Sequence, residues 1–136
     1  MDLPFGRDRV WEALTTAQGL ESWLCDRASV NPVIGGAWDM WWEPALERGM
    51  RLDLLSIDRP RLLDLECVDA GRLDPGEGGG YGGTRITIVL FPALDGTRLE
   101  LTHSGWGETG GWMLFQRTFE RFWWGALEDL RVALRR

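Results

Sequence analysis

Lysine is absent from this chain; all fifteen basic residues are arginine. That excludes Schiff-base and lysine-nucleophile chemistry. Histidine occurs once, as His103, and cysteine twice, as Cys25 and Cys67. The cysteines stand far apart, with no CxxC spacing and no histidine pair beside them, so neither a zinc site nor a disulfide framework is expected. They read as small, reduced, buried residues of a cytoplasmic protein. The start of the chain lacks the basic, apolar and small-residue sections of a secretory leader. No apolar run approaches the ~18 residues that a membrane-spanning helix needs. Positive charge is in deficit as well, with a formal net charge of −6 and a pI near 4.8. Without a concentrated basic stripe, such a chain is repelled by phosphate backbones and anionic lipid, so nucleic acid and membrane are not expected as partners.

What is present suits one soluble α+β domain over residues 1–136. Apolar residues make up 44% and charged residues 26% of the 136 positions, ordinary values for a chain able to bury a core. Leu3 and Phe5 alternate as a strand stub would. Asp8 is a candidate cap for a short helix carrying Val10, Trp11, Ala13 and Leu14. Gly19 punctuates it, and Leu20, Trp23 and Leu24 suggest a second helix that ends before Asn31-Pro32 and Gly35-Gly36. Strands follow at Trp38 to Trp42, Met50 to Ile57, Leu63 to Cys67, Ile86 to Leu90 and Leu99 to His103, with an Asp95-Gly96 hairpin signal. Connections this short demand antiparallel pairing.

From Trp112 onward the period changes from 2 to 3.6. Trp112, Phe115, Phe119, Phe122, Trp123, Ala126, Leu130 and Ala133 share one helical face, with Leu127 and Leu134 at its edge. Arg117, Arg121, Glu128, Arg131 and Arg135 fall opposite. So broad an aromatic stripe must cover an apolar surface, which the alternating strands supply. Trp124 breaks the pattern and falls among the arginines, either lying over their stems or serving as a partner contact.

Few residues offer chemistry. His103 continues the inward parity of Leu99 and Leu101, which aims its ring at the helix. A buried imidazole needs a partner, and it can act as acid, base or ligand contact as well as a satisfied core residue. Ser104 faces the other side of the strand, which disfavours a Ser–His nucleophile. The glycine-rich run from Gly76 to Gly83 lacks the Gly-Lys-Ser/Thr ending of a phosphate loop and leads into a strand, so it reads as a flexible hairpin connection. No carboxylate pair stands out, no metal or cofactor is expected, and no catalytic residue is assigned. Instead Trp38, Met40, Trp42, Trp106 and Trp112 join the helix stripe in an unusually aromatic lining, either a solid core or a cleft for an apolar small molecule.

In order and spacing, these motifs resemble the helix-grip fold of the START/SRPBCC superfamily, within it the branch named for the activator of heat-shock protein 90 ATPase. The resemblance is carried by Val10-Trp11-Glu12-Ala13-Leu14-Thr15, Leu20, Trp23, Gly35-Gly36, Gly49, Pro60-Arg61-Leu62, Gly96-Thr97-Arg98-Leu99, Leu101-Thr102-His103-Ser104-Gly105, Trp123, Leu127 and Leu130. It runs from about Val10 to Leu134. It implies a curved antiparallel sheet of about six strands around the terminal helix, two short helices before it, and a cavity for hydrophobic molecules. Two departures stand out. The first strand is a stub, and the family's Gly-Trp in the last helix reads Phe122-Trp123, bulk that narrows the cavity. The expected ligand-binding set is Trp38, Met40, Trp42, His103, Trp112, Phe115, Phe119 and Trp123. The superfamily also holds cyclase- or aromatase-like enzymes, for which His103 is the candidate acid or base, and co-chaperone-like proteins, for which Trp124 is the candidate contact for a chaperone or a second copy.

Overall fold

Alternating strands and one long amphipathic helix build the molecule, as a computed structural model of residues 1–43, 49–71, 83–108 and 111–136 describes it. Seven strands run in chain order as β1 (Asp2–Leu3), β2 (Arg27–Val30), β3 (Ala37–Trp41), β4 (Met50–Asp58), β5 (Leu62–Asp69), β6 (Thr84–Ala93) and β7 (Gly96–Ser104). They form a single sheet in the order β1-β7-β6-β5-β4-β3-β2. Every neighbouring pair is antiparallel, and the short connections β2–β3, β3–β4, β4–β5 and β6–β7 require it. The sheet thus meanders from β2 to β7, and the two-residue β1 closes on the far edge against Thr97 and Arg98.

Alternation buries one side of this sheet. Trp38 and Met40, then Met50, Leu52 and Leu54, then Leu63, Leu65 and Cys67, then Ile86, Ile88 and Leu90 are all nearly solvent-free. Register shifts in β4 against β5, between Arg51 and Leu52 and between Leu54 and Ser56, are the irregularities that bend a strand and curve a sheet. On the opposite side Asp64 is buried beneath Arg85. The guanidinium donates to both carboxylate oxygens, and the Thr87 hydroxyl adds a bond of 3.1 Å. These bonds hold the Asp64 carboxyl below its usual range.

Helices α1 (Arg7–Thr15) and α2 (Ala17–Glu21) precede the meander, and α3 (Trp112–Leu134) follows it. The buried line of α3 is Phe115, Phe119, Trp123, Ala126, Leu130 and Leu134. Arg9 of α1 joins distant parts of the sequence, donating to the Leu134 and Arg136 carbonyls and so satisfying acceptors that a helix terminus leaves open. This contact accompanies a small exchange of roles, in which Leu134 is buried and Ala133 only half-buried.

Several expected boundaries shift. The sheet has seven strands rather than six because β2 occupies residues 27–30, where exposed and half-buried positions alternate without a bulky apolar signal. Asp8 does not cap α1; Gly6 takes that position without a side-chain bond, and Asp8 sits in the first turn, where a carboxylate favours the helix dipole. Gly19 lies inside α2 rather than between helices, and glycine is needed there because any side chain would strike the Glu12 carbonyl of α1. Trp23 and Leu24 fall just past α2, buried nonetheless, with the Trp23 N–H donating to the Ala13 carbonyl at 2.8 Å. The β6–β7 turn is Leu94-Asp95, flanked by the Ala93–Gly96 pair. The glycine-rich stretch at 72–82 lies outside the described residues. Cys25 and Cys67 are both buried, and burial together with Glu21 and Asp26 pushes the Cys25 thiol up to about 12. Among the described residues no helix is long and apolar enough to cross a membrane.

Candidate functional site

Strand alternation carries Leu99, Leu101 and His103 of β7 to the side that α3 covers, and the ring of His103 meets α3 there. Its centroid lies 4.6 Å from that of Phe119 and 6.4 Å from that of Trp123. Directly after β7 the backbone of Gly105 turns through φ 86°, a left-handed conformation that favours glycine. The chain then folds back so that Trp106 lies against the imidazole at 4.2 Å and donates its N–H to the His103 carbonyl at 3.2 Å.

Both imidazole nitrogens are engaged. The Trp123 indole N–H donates to Nδ1 at 3.1 Å, and Nε2 lies 2.9 Å from the Oγ1 of Thr84, a fully buried residue on β6. An indole N–H can only donate, so Nδ1 must be the acceptor and the proton must sit on Nε2, facing Thr84. Protonating Nδ1 would set two donors against each other in a half-dry site. Burial alone holds the His103 pKa at about 4, and the neutral ring fits this arrangement.

Beside this hub an open-sided groove of about 680 Å³ runs between β7 and α3. Its apolar floor comes from Leu99, Leu101, Trp106, Trp123 and Leu127, with His103 among them and Trp124 on the rim. Along β7, β1 reaches only Thr97 and Arg98 as strand partners, and Met1 adds bonds to Leu99. From Glu100 to Ser104, β7 pairs on one side with β6 and has no strand on the other among the described residues. The groove follows this stretch of β7.

The interior directly beneath α3 is different. Leu14, Leu20, Trp23, Trp38, Met40, Leu65, Ile86 and Trp123 pack around a crevice of only about 20 Å³. That is room for about one water molecule. The Trp38 indole N–H beside it is buried without a hydrogen-bond partner among the described residues.

The eight residues expected to contact a ligand therefore separate. His103 and Trp123 line the groove, and Trp123 also reaches the crevice, where it meets Trp38 and Met40. Phe115 and Phe119 are completely buried, joined by an edge-on contact at 5.2 Å. Trp112 packs edge-on against Phe115 at 5.9 Å. Trp42 stands beyond β3, half-buried, with its N–H on the Leu24 carbonyl and its ring 6.2 Å from Phe122. Groove residues that the pattern did not single out as ligand contacts include Glu100, Thr102, Gln116, Glu120 and Glu128. Glu100 and Thr102 fall on the outward parity of β7, and nothing in a one-dimensional pattern marks that strand as lying near an edge. Among the described residues no group of three or more histidine, cysteine or acidic side chains is placed to hold a metal ion.

Comparison with known proteins agrees with this architecture. The structure of protein MLL2253 from Mesorhizobium loti is similar over 98% of this chain and 92% of its own, with TM-score 0.80 and 19% identity. The solution structure of the Aha1 dimer from Colwellia psychrerythraea matches over 98% and 93%, with TM-score 0.72 and 21% identity. CalU16 from Micromonospora echinospora matches over 97% and 69%, with TM-score 0.70 and 23% identity. At such identities these likenesses establish the shared fold. Comparison with curated protein sequences finds no match. The family model described as Activator of Hsp90 ATPase homolog 1-like protein matches residues 4–132. With the helix-grip arrangement of sheet and terminal helix now in view, the chain belongs to that family.

Proposed function

We propose that this protein binds a small hydrophobic or aromatic molecule in the groove between β7 and α3. The observation that carries this reading is the contrast between two spaces: about 680 Å³ in the groove against about 20 Å³ in the interior crevice. Ligand sites typically measure about 300–1,000 Å³ and are lined mainly by apolar and aromatic groups. The interior is filled by its own tryptophans, so His103 and Trp123 become the central contacts and the deeper aromatics become their support. His103 acts here as a fixed wall. Using it as a general acid or base would require breaking its bond with Trp123 or Thr84. Two buried cysteines far apart in the chain, without a CxxC spacing, support a reducing, cytoplasmic setting.

Titration with a panel of uncharged aromatic and aliphatic compounds tests the site. A binder should raise the melting temperature and shift the indole N–H resonances of Trp106 and Trp123, while Leu101→Arg should abolish both effects. A panel that moves neither signal would overturn the reading.

A second reading concerns assembly. Trp124 is 79% exposed and Met113 67%, about three turns apart on one line of α3. The similar Colwellia psychrerythraea structure is a dimer. An exposed tryptophan on such a line supports a contact with a second copy.

A further inference from the structure

We propose that the groove prefers a cationic ligand, an apolar or aromatic amine or quaternary ammonium, over an anion such as a fatty acid. The inference rests on the groove being the ligand site and adds the sign of the ligand's charge.

Three carboxylates, Glu100, Glu120 and Glu128, line the groove, and among the described residues no arginine does. Two of them have loose partners outside the lining: Arg98 at 3.5 Å from Glu100, and Arg131 at 3.7 Å from Glu128. Glu120 has no ion-pair partner among the described residues and accepts the Gln116 amide at 3.2 Å. Met1 also lines the groove, and its amino nitrogen donates to the Leu99 carbonyl at 2.9 Å. His103 contributes no positive charge, because its Nδ1 accepts from Trp123. The field inside the groove is therefore negative and attracts a cation.

The aromatic lining adds a second reason. The N–H groups of Trp106 and Trp123 are tied to His103, which turns their polar edges toward the protein. Trp124 stands on the rim beside them. Indole faces carry the negative side of the ring quadrupole and are the best aromatic surfaces for an ammonium group. A carboxylate in the same place would meet three like charges and, among the described residues of the lining, no basic side chain.

Three naphthalene compounds that differ in one substituent test this: a trimethylammonium-methyl, a hydroxymethyl and a carboxymethyl derivative. Affinities come from calorimetry, and the indole N–H resonances report the location. The cation should bind about tenfold more tightly than the carboxylate at low salt, with the neutral compound between them and the gap closing as salt rises. Glu120→Gln combined with Glu128→Gln should shrink the cation's advantage over the neutral compound several-fold. Equal binding of cation and neutral compound, with shifts at Trp106 and Trp123, would overturn the charge preference and leave the groove standing. Tightest binding by the carboxylate would overturn it too. No shift at those indoles with any of the three would remove the groove reading itself.

Discussion

His103 shows how much one residue's neighbours decide. Its inward direction followed from the parity of β7, but the identity of its partners did not. Thr84 comes from β6, Trp123 from α3 and Trp106 from the turn at Gly105. Together they make the sole imidazole a neutral, doubly bonded wall of the groove. This has a pH consequence. The folded-state pKa is lowered from 6.5 to about 4, so the unfolded chain takes up the proton first as pH falls. Stability from this group is complete above about 6.5, drains away between about 6.5 and about 4, and changes no further below that. By linkage the loss is at most about 3 kcal/mol, and less to the extent that the ring still meets solvent. His103→Gln keeps a donor and an acceptor on the side chain but cannot titrate, so its denaturation free energy should fall less across that window than that of the natural protein. An equally steep decline in the variant would show that another group is responsible.

At the scale of elements, strong periodicity was legible and weak periodicity was not. The stripe from Phe115 to Leu130 defines the buried face of α3, because large apolar side chains at helical spacing have no other way to leave water. Four-residue β2 carries no such stripe. Its place is set by pairing Arg27 to Val30 against Trp41 to Trp38, a tertiary fact. The central ring of the stripe is Phe119, completely buried and in contact with His103, Phe115 and Trp123. Phe119→Ala should cost about 3–5 kcal/mol in chemical denaturation, the usual range for truncating a buried phenylalanine. A loss under about 1 kcal/mol would mean that α3 does not clamp the sheet as described. Trp23 and Leu24 show the limit of the periodic method: both are buried, yet they sit in a turn beyond α2.

For the molecule as a whole, the open question of assembly turns on Trp124. Replacing it with Ala should change the stability of the isolated chain by less than about 0.5 kcal/mol, since the side chain is mostly in water. If copies pair through this face, light scattering should give twice the 15.4 kDa chain mass for the natural protein and the single-chain mass for Trp124→Ala. A single-chain mass for both at high concentration would exclude that contact. The amino-acid sequence by itself determined the α+β class, the antiparallel pairing, the aromatic helix that covers the sheet and the acidic balance. Each depends on local period, connection length or simple composition. Only the tertiary structure decided that the space beneath α3 is filled, that the open groove lies along the outer edge of β7, and that three glutamates border it. Those features depend on which strand stands beside an uncovered edge and on how bulky rings from distant segments share one volume. Neither is written in the order of residues along any single element.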